Sequence, residues 1–223
     1  MSAGVVVERE PDAGAAARRA AQLLADAIGE SLAQRGAAHV ALSGGTTPRV
    51  TYVALGPLVP DWRGVHLWFA DERCVGPDDP ESNARLVRET LVADGAVTHR
   101  MQGELGAEAA ASAYERELAD VVLDVVLLGI GEDGHTASLF PDNAVLDAAG
   151  RVAPVHDSPK PPPDRITLTR QALDGARQRL LLVTGAGKAP ALEGALGAPS
   201  RHVPSSLLSR DGLTVVADAA ALG

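Results

Sequence analysis

The chain has 223 residues, 46% of them apolar and 22% charged, and a net charge of −9. That is enough chain to bury one substantial core, and the acidic balance without any basic stretch argues against a nucleic-acid partner. The single cysteine, Cys74, excludes an internal disulfide and fits a reducing compartment. The first residues show no basic segment followed by a long apolar one, and no apolar run approaches the ~20 residues of a bilayer span. The expectation is a cytoplasmic, soluble protein with no membrane partner, folded as a single domain over residues 1–223.

Along the chain, strands and helices alternate. Val5 to Glu8 reads as a short strand, and Asp12 to about Arg35 as a helix with apolar residues at helical spacing (Leu23, Leu24, Ala27, Ile28, Leu32). His39 to Leu42 is a second strand, followed by Ser43-Gly44-Gly45-Thr46-Thr47-Pro48 and a helix to about Leu55. Val65 to Phe69 is a third, ending at Ala70-Asp71-Glu72-Arg73. Ser82-Asn83 are suited to cap a helix running through Leu91, and Ala107 to Leu118 reads as another helix. A strand follows from Val121 to Leu128, broken by Asp124; Val152–Val155, Ile166–Leu168, Leu180–Val183 and Leu213–Val216 complete the set, with a helix after Gly187. Such alternation predicts an α/β fold, a mostly parallel open sheet with helices on both faces in the doubly wound, Rossmann-like manner. No repeat, low-complexity tail or linker interrupts it; Asp157 to Pro163 is a stiff, extended loop within the domain.

Several strand ends carry chemistry. Leu128-Gly129-Ile130-Gly131-Glu132-Asp133-Gly134-His135 is an apolar run feeding a glycine-rich turn, which places Asp133 and His135 two residues apart at the carboxyl end of a strand, where open α/β sheets bind ligands. Histidine is the side chain suited to take or give a proton near neutral pH. In isolation such a turn more often holds a histidine satisfied by a backbone carbonyl; here other segments point the same way. Ser43-Gly44-Gly45-Thr46 follows a strand and opens a helix, with glycines for close approach and free N–H groups for a phosphate, though an empty turn is the equal alternative for that segment alone. That segment has neither a Gly-Lys-Ser/Thr ending nor a Gly-x-Gly-x-x-Gly pattern, which argues against a nucleoside triphosphate or a dinucleotide there. Asp71-Glu72-Arg73 sets two carboxylates and a guanidinium at another strand end, where a solvated charge cluster is the common outcome. Lys188, after Thr184-Gly185-Ala186-Gly187, is one of only two lysines, the other being Lys160, among 20 basic residues. A lysine in the first turn of a helix opposes the macrodipole unless an anion is near.

Taken together, Leu42 to Pro48, Trp68 to Val75 with Ser82-Asn83 downstream, Gly129 to Pro141, Lys160-Pro161-Pro162-Pro163-Asp164-Arg165-Ile166-Thr167-Leu168-Thr169 and Thr184 to Ala189 resemble the 6-phosphogluconolactonase family, in order and in spacing, from the first strand to about Ala217. Two positions depart from the usual pattern: Thr51, where an aliphatic normally precedes the tyrosine (here Tyr52), and Arg170, which stands where an apolar residue is usual. Neither touches the proposed proton transfer, and the sequence leaves open the effect of Arg170 on the substrate pocket. The resemblance implies hydrolysis of 6-phospho-D-glucono-1,5-lactone to 6-phosphogluconate, the second step of the oxidative pentose phosphate pathway. It implies no metal and no organic cofactor, a small sugar-phosphate lactone as partner, and a monomer or weak dimer. The residues suit that chemistry: His135 as general base toward water, Asp133 to orient it or to order the loop, and Arg73 or the backbone N–H groups of Gly131 to Thr136 for the oxyanion. Ser43, Gly44, Gly45, Thr46, Arg73 and Lys188 are the candidates for the phosphate.

Two other readings stand beside this one. A glucosamine-6-phosphate deaminase also has an Asp-Gly-His loop, but its histidine is typically followed by Ile-Ala-Phe-Asn-Glu-Pro, with a carboxylate for ring opening. Here Thr136-Ala137-Ser138-Leu139-Phe140-Pro141 supplies none. A sugar-phosphate-sensing domain of a transcription regulator would normally carry a helix-turn-helix, and the chain has no spare basic segment for one.

Overall fold

Strand–helix alternation folds into two sheets in the computed structural model, which describes residues 4–223. The strands are β1 (Val6–Glu10), β2 (Ala38–Leu42), β3 (Val65–Phe69), β4 (Asp71–Arg73), β5 (Val97–Thr98), β6 (Val125–Leu128), β7 (Val152–Val155), β8 (Arg165–Leu168), β9 (Gln178–Val183) and β10 (Leu213–Asp218). Seven of them form a sheet in the order β1-β10-β9-β6-β2-β3-β5, parallel throughout. All four residues of β6 are buried, as expected of a central parallel strand covered on both faces, and this is why it reads as an unbroken apolar run.

The helices are α1 (Ala13–Arg35), α2 (Thr46–Leu55), α3 (Asn83–Thr90), α4 (Ala107–Leu118), α5 (Arg170–Asp174), α6 (Ala189–Leu196) and α7 (Ala219–Leu222). α1 starts where Asp12 accepts from the N–H of Ala15 and stops where Gly36 takes a left-handed φ of 72°. Its buried stripe, Ala16, Ala17, Ala20, Ala21, Leu24, Ala27 and Ile28, is mostly alanine, so the helix lies close across β1, β2, β9 and β10. From the other elements, Tyr114 of α4 donates and accepts at the backbone of Phe69 and packs edge-on against Trp68.

The chain departs from simple alternation at β4, β7 and β8. Val152–Val155 and Ile166–Leu168 are expected from sequence as further strands of a mostly parallel sheet. Instead Ile166–Leu168 lies between Asp71–Arg73 and Val152–Val155, antiparallel to both, in a separate sheet of order β4-β8-β7. Period and composition cannot distinguish the two destinations, because β8 is buried along its length like the parallel strands. The run from Val121 becomes strand only at Val125: Val122 is 45% exposed, and the Asp124 carboxylate accepts from the N–H of His39 and from Arg35, fixing the entry to β6.

This topology sets the site. From β2 the chain proceeds to β3 on one side, while β6 leads eventually to β9 on the other, so the connections part between β2 and β6. In open α/β sheets that switch point leaves a crevice beyond the carboxyl ends of the strands. Here the two ends are tied across it: Ser43 Oγ, just after β2, donates to the carbonyl of Leu127 in β6 at 2.8 Å.

Candidate active site

A cleft of about 330 Å³ opens at that crevice. Its lining comes from four neighbouring strand ends, Lys188 after β9, Gly129 to Gly131 and His135 after β6, Ser43 to Gly45 after β2, and Asp71 and Arg73 after β3, and from Lys160 in the β7–β8 loop and Arg165 of the small sheet. Segments remote in sequence are thereby brought together. Of the expected residues, Ser43, Gly44, Gly45, Arg73, His135 and Lys188 line the cleft itself. Thr46 is exposed and faces an adjoining depression shared with Gly44, Gly45, Thr184 and Lys188. Asp133 stands behind His135, with its Oδ1 2.5 Å from the imidazole Nδ1.

The histidine is held from three sides. Asp133 accepts from Nδ1, the Phe140 ring packs at 4.9 Å between centroids, and Gly131 lies so close that an added Cβ would come within 2.0 Å of Nδ1. Burial pulls the His135 pKa below the ordinary histidine value, and the Asp133 carboxylate opposes that with its charge and hydrogen bond. Asp133 is itself pushed up by burial, but its contact with His135 more than offsets this and its pKa ends lowered. A neutral imidazole donating through Nδ1 leaves Nε2 as the proton acceptor. The loop's own N–H groups are partly committed: Gly131 donates to the carbonyl of His135, Gly134 to that of Gly131, and His135 N–H approaches Asp133 Oδ1 at 3.3 Å.

On the far wall, Asp71 and Glu72 are not a solvated cluster. Asp71 is buried and accepts from Ser138 Oγ at 2.6 Å and from Asn83 Nδ2 at 3.2 Å. Glu72 is 2% exposed and accepts from the N–H groups of Arg73, Asn83 and Ala84 and from Ser82 Oγ, which ties the start of α3 to β4. Burial pushes its carboxyl up despite these four donors. Asn83 gives its amide N–H groups to the Asp71 carbonyl and carboxylate, so its Oδ1 must face the other way, toward Gly44. A Cβ at Gly44 would meet that oxygen at 1.8 Å, and the oxygen has no partner among the described residues. Arg73 donates to the carbonyl of Glu81 at 2.5 Å.

The opposite end of the cleft is suited to an anion. α2 begins at Gly45 with no side-chain cap, leaving first-turn N–H groups for a ligand. Lys188 is half-buried beside it. The Ser43 hydroxyl, by contrast, spends its proton on Leu127, and Thr47 pairs with Thr184 at 2.8 Å.

Among the lining residues not singled out from sequence as site residues, Lys160, Arg165 and Asn83 carry polar groups into the cleft from segments remote from His135. Lys160 carried the same signal as Lys188: both lysines of a lysine-poor chain line one cleft. Arg165 is a charge opening an otherwise apolar strand pattern, and Asn83 looked only like a cap. Arg170, whose effect on the pocket the sequence leaves open, is exposed as the first residue of α5 and lies outside the lining. Cys74 is half-buried and its thiol is pushed up to about 11 by burial and by Asp164 and Glu108, so it is poorly nucleophilic at neutral pH. No helix of the described residues is long and apolar enough to cross a membrane.

The chain is similar to known proteins over most of its length. A 6-phosphogluconolactonase of Mycobacterium tuberculosis is 39% identical over 211 residues, covering 86% of this chain and 85% of that protein. One from Streptomyces coelicolor is 37% identical, covering 91% and 86%. The crystal structure of a 6-phosphogluconolactonase from Shewanella baltica superposes with a TM-score of 0.87 at 30% identity, over 98% of each chain. The family described as glucosamine-6-phosphate isomerases/6-phosphogluconolactonase matches residues 11–216, and the chain belongs to it.

Proposed function

We propose that the protein hydrolyses 6-phospho-D-glucono-1,5-lactone to 6-phosphogluconate, the second step of the oxidative pentose phosphate pathway. The observation that carries this reading is His135, oriented by Asp133, in a cleft that also holds a helix start without a side-chain cap and Lys188. The family name covers both isomerases and lactonases, and the relatives at 37–39% identity are named as lactonases. The residues after His135 supply no acid for the ring opening a deaminase performs.

In the reaction, His135 Nε2 takes a proton from water as the water oxygen attacks the lactone carbonyl. Asp133 holds the imidazole in the tautomer that makes this possible. The phosphate, at the far end of the substrate, docks on the α2 N-terminus and Lys188, and that remote binding positions the carbonyl at His135. The test is a substrate comparison. Freshly generated lactone is turned over well above its spontaneous hydrolysis, while glucosamine 6-phosphate releases no ammonia; sustained ammonia release at a comparable rate overturns the assignment.

A further inference from the structure

Phe140 carries His135 on its ring and a second group as well. The guanidinium carbon of Arg165 sits 5.6 Å from the centre of that ring, and His135 and Arg165 both line the cleft while Phe140 is buried behind them. Arg165 is 5% exposed. It is gripped from behind by three backbone carbonyls: Nε donates to Pro162 at 3.2 Å, and one terminal nitrogen to Lys160 and Pro161 at 3.0 and 3.3 Å. The other terminal nitrogen donates to no described residue and stays 4.0 Å from Asp71 Oδ2, an oxygen that Ser138 already occupies. Arg73 lies directly opposite Arg165 in the β4–β8 pair. Like charges placed so cost stability, and an anion between them offsets that cost. A buried guanidinium, fixed in orientation with one edge unspent beside the catalytic imidazole, is a preorganised anion site.

We propose that Arg165 polarises the lactone carbonyl and takes up the negative charge of the tetrahedral intermediate, a role that rests on the lactonase reading above. Water attacks C1 as His135 Nε2 removes its proton; the carbonyl π pair moves onto the exocyclic oxygen, which faces the free edge of Arg165. Collapse re-forms the C=O bond and breaks the bond from C1 to the ring oxygen, which takes the proton back from the His135 imidazolium. The resulting carboxylic acid then loses its proton to solvent. Lys188 and the α2 N-terminus, on the β9 and β2 ends of the cleft, hold the phosphate, so Arg165 and Lys188 act on opposite ends of the substrate.

The experiment measures kcat and KM of Arg165→Lys and Arg165→Ala on the 6-phosphorylated lactone and on glucono-1,5-lactone without the phosphate, with melting curves for both. Loss of one donor aimed at an oxyanion lowers kcat by about 10²–10³, and here the factor is similar on the two lactones while KM moves by less than about threefold. Added guanidinium ion restores part of the kcat of Arg165→Ala. A loss confined to the phosphorylated lactone, a loss carried by KM alone, or disappearance of the cooperative melt in both variants overturns the proposal, assigning Arg165 to the phosphate or to a structural pin. If the wild-type protein does not accelerate hydrolysis of either lactone, the lactonase reading has failed, which is a different outcome from any of these.

Discussion

Asp133 Oδ1 lies 2.5 Å from Nδ1 of His135, two residues further along the chain. Side chains so spaced meet only because the loop turns back on itself at Gly134, whose φ is 81°. The contact fixes which nitrogen carries the proton and so which one faces substrate.

The pH dependence follows from that contact. Burial, the strongest influence on His135, draws its pKa below the ordinary 6.5, and Asp133 pulls the other way. The base is therefore neutral and competent at neutral pH, and kcat/KM falls only on the acid side of 6.5, as the imidazole protonates. Asp133→Asn removes the upward pull, so the acid limb moves to still lower pH. The same change lowers kcat by about 10²–10⁴ through loss of the oriented tautomer. A pH–rate profile of the two proteins checks both; an acid limb that moves upward contradicts the geometry.

Gly131 is the backbone against which the histidine ring lies. Gly131→Ala places a methyl 2.0 Å from Nδ1 and 2.3 Å from Asp133 Oδ1, so the ring must swing away. The expected result is a folded protein with kcat reduced by on the order of 10², the scale of a catalytic group displaced by about 1 Å. Unchanged kcat shows that the ring position is not critical.

Much of this loop could be read in the sequence, since the strand, its glycines and the Asp-Gly-His spacing are contiguous. What could not be read arises from pairing between distant segments. Arg165 enters the cleft because β8 pairs antiparallel with β4, a partnership that the apolar pattern of Ile166–Leu168 does not specify. Asn83 has its role because Glu72 draws the start of α3 against β4; from sequence it could be seen only as a cap. Lys160 was within reach, since the scarcity of lysine that marked Lys188 applies equally to it.

Lys188 is expected to act on the phosphate alone. Lys188→Ala weakens binding of the phosphorylated lactone by about 1.5–3 kcal/mol, the scale of a charge-assisted hydrogen bond, or roughly 10- to 150-fold in kcat/KM. On glucono-1,5-lactone the loss is much smaller. Equal losses on the two lactones remove Lys188 from the phosphate site, whatever their size.

Glu72 supports the far wall without touching substrate. Glu72→Ala leaves three backbone N–H groups and the Ser82 hydroxyl without their acceptor. Stranding buried donors costs about 1–3 kcal/mol each where water cannot replace the acceptor, so destabilisation of at least about 3 kcal/mol is expected. For a chain of this size that corresponds to a melting temperature lower by roughly 6–12 °C. Calorimetry checks it, and a shift within about 1 °C would show that water substitutes for the carboxylate.

The most direct measurement follows release of 6-phosphogluconate from freshly generated 6-phospho-D-glucono-1,5-lactone, coupled to 6-phosphogluconate dehydrogenase, for the wild-type protein and His135→Ala against the uncatalysed rate. The wild type should exceed that background by orders of magnitude, and the folded His135→Ala protein should lose about 10²–10⁴ of kcat. A wild type indistinguishable from background, or a folded His135→Ala variant turning over at the wild-type rate, would contradict a lactonase whose base is His135.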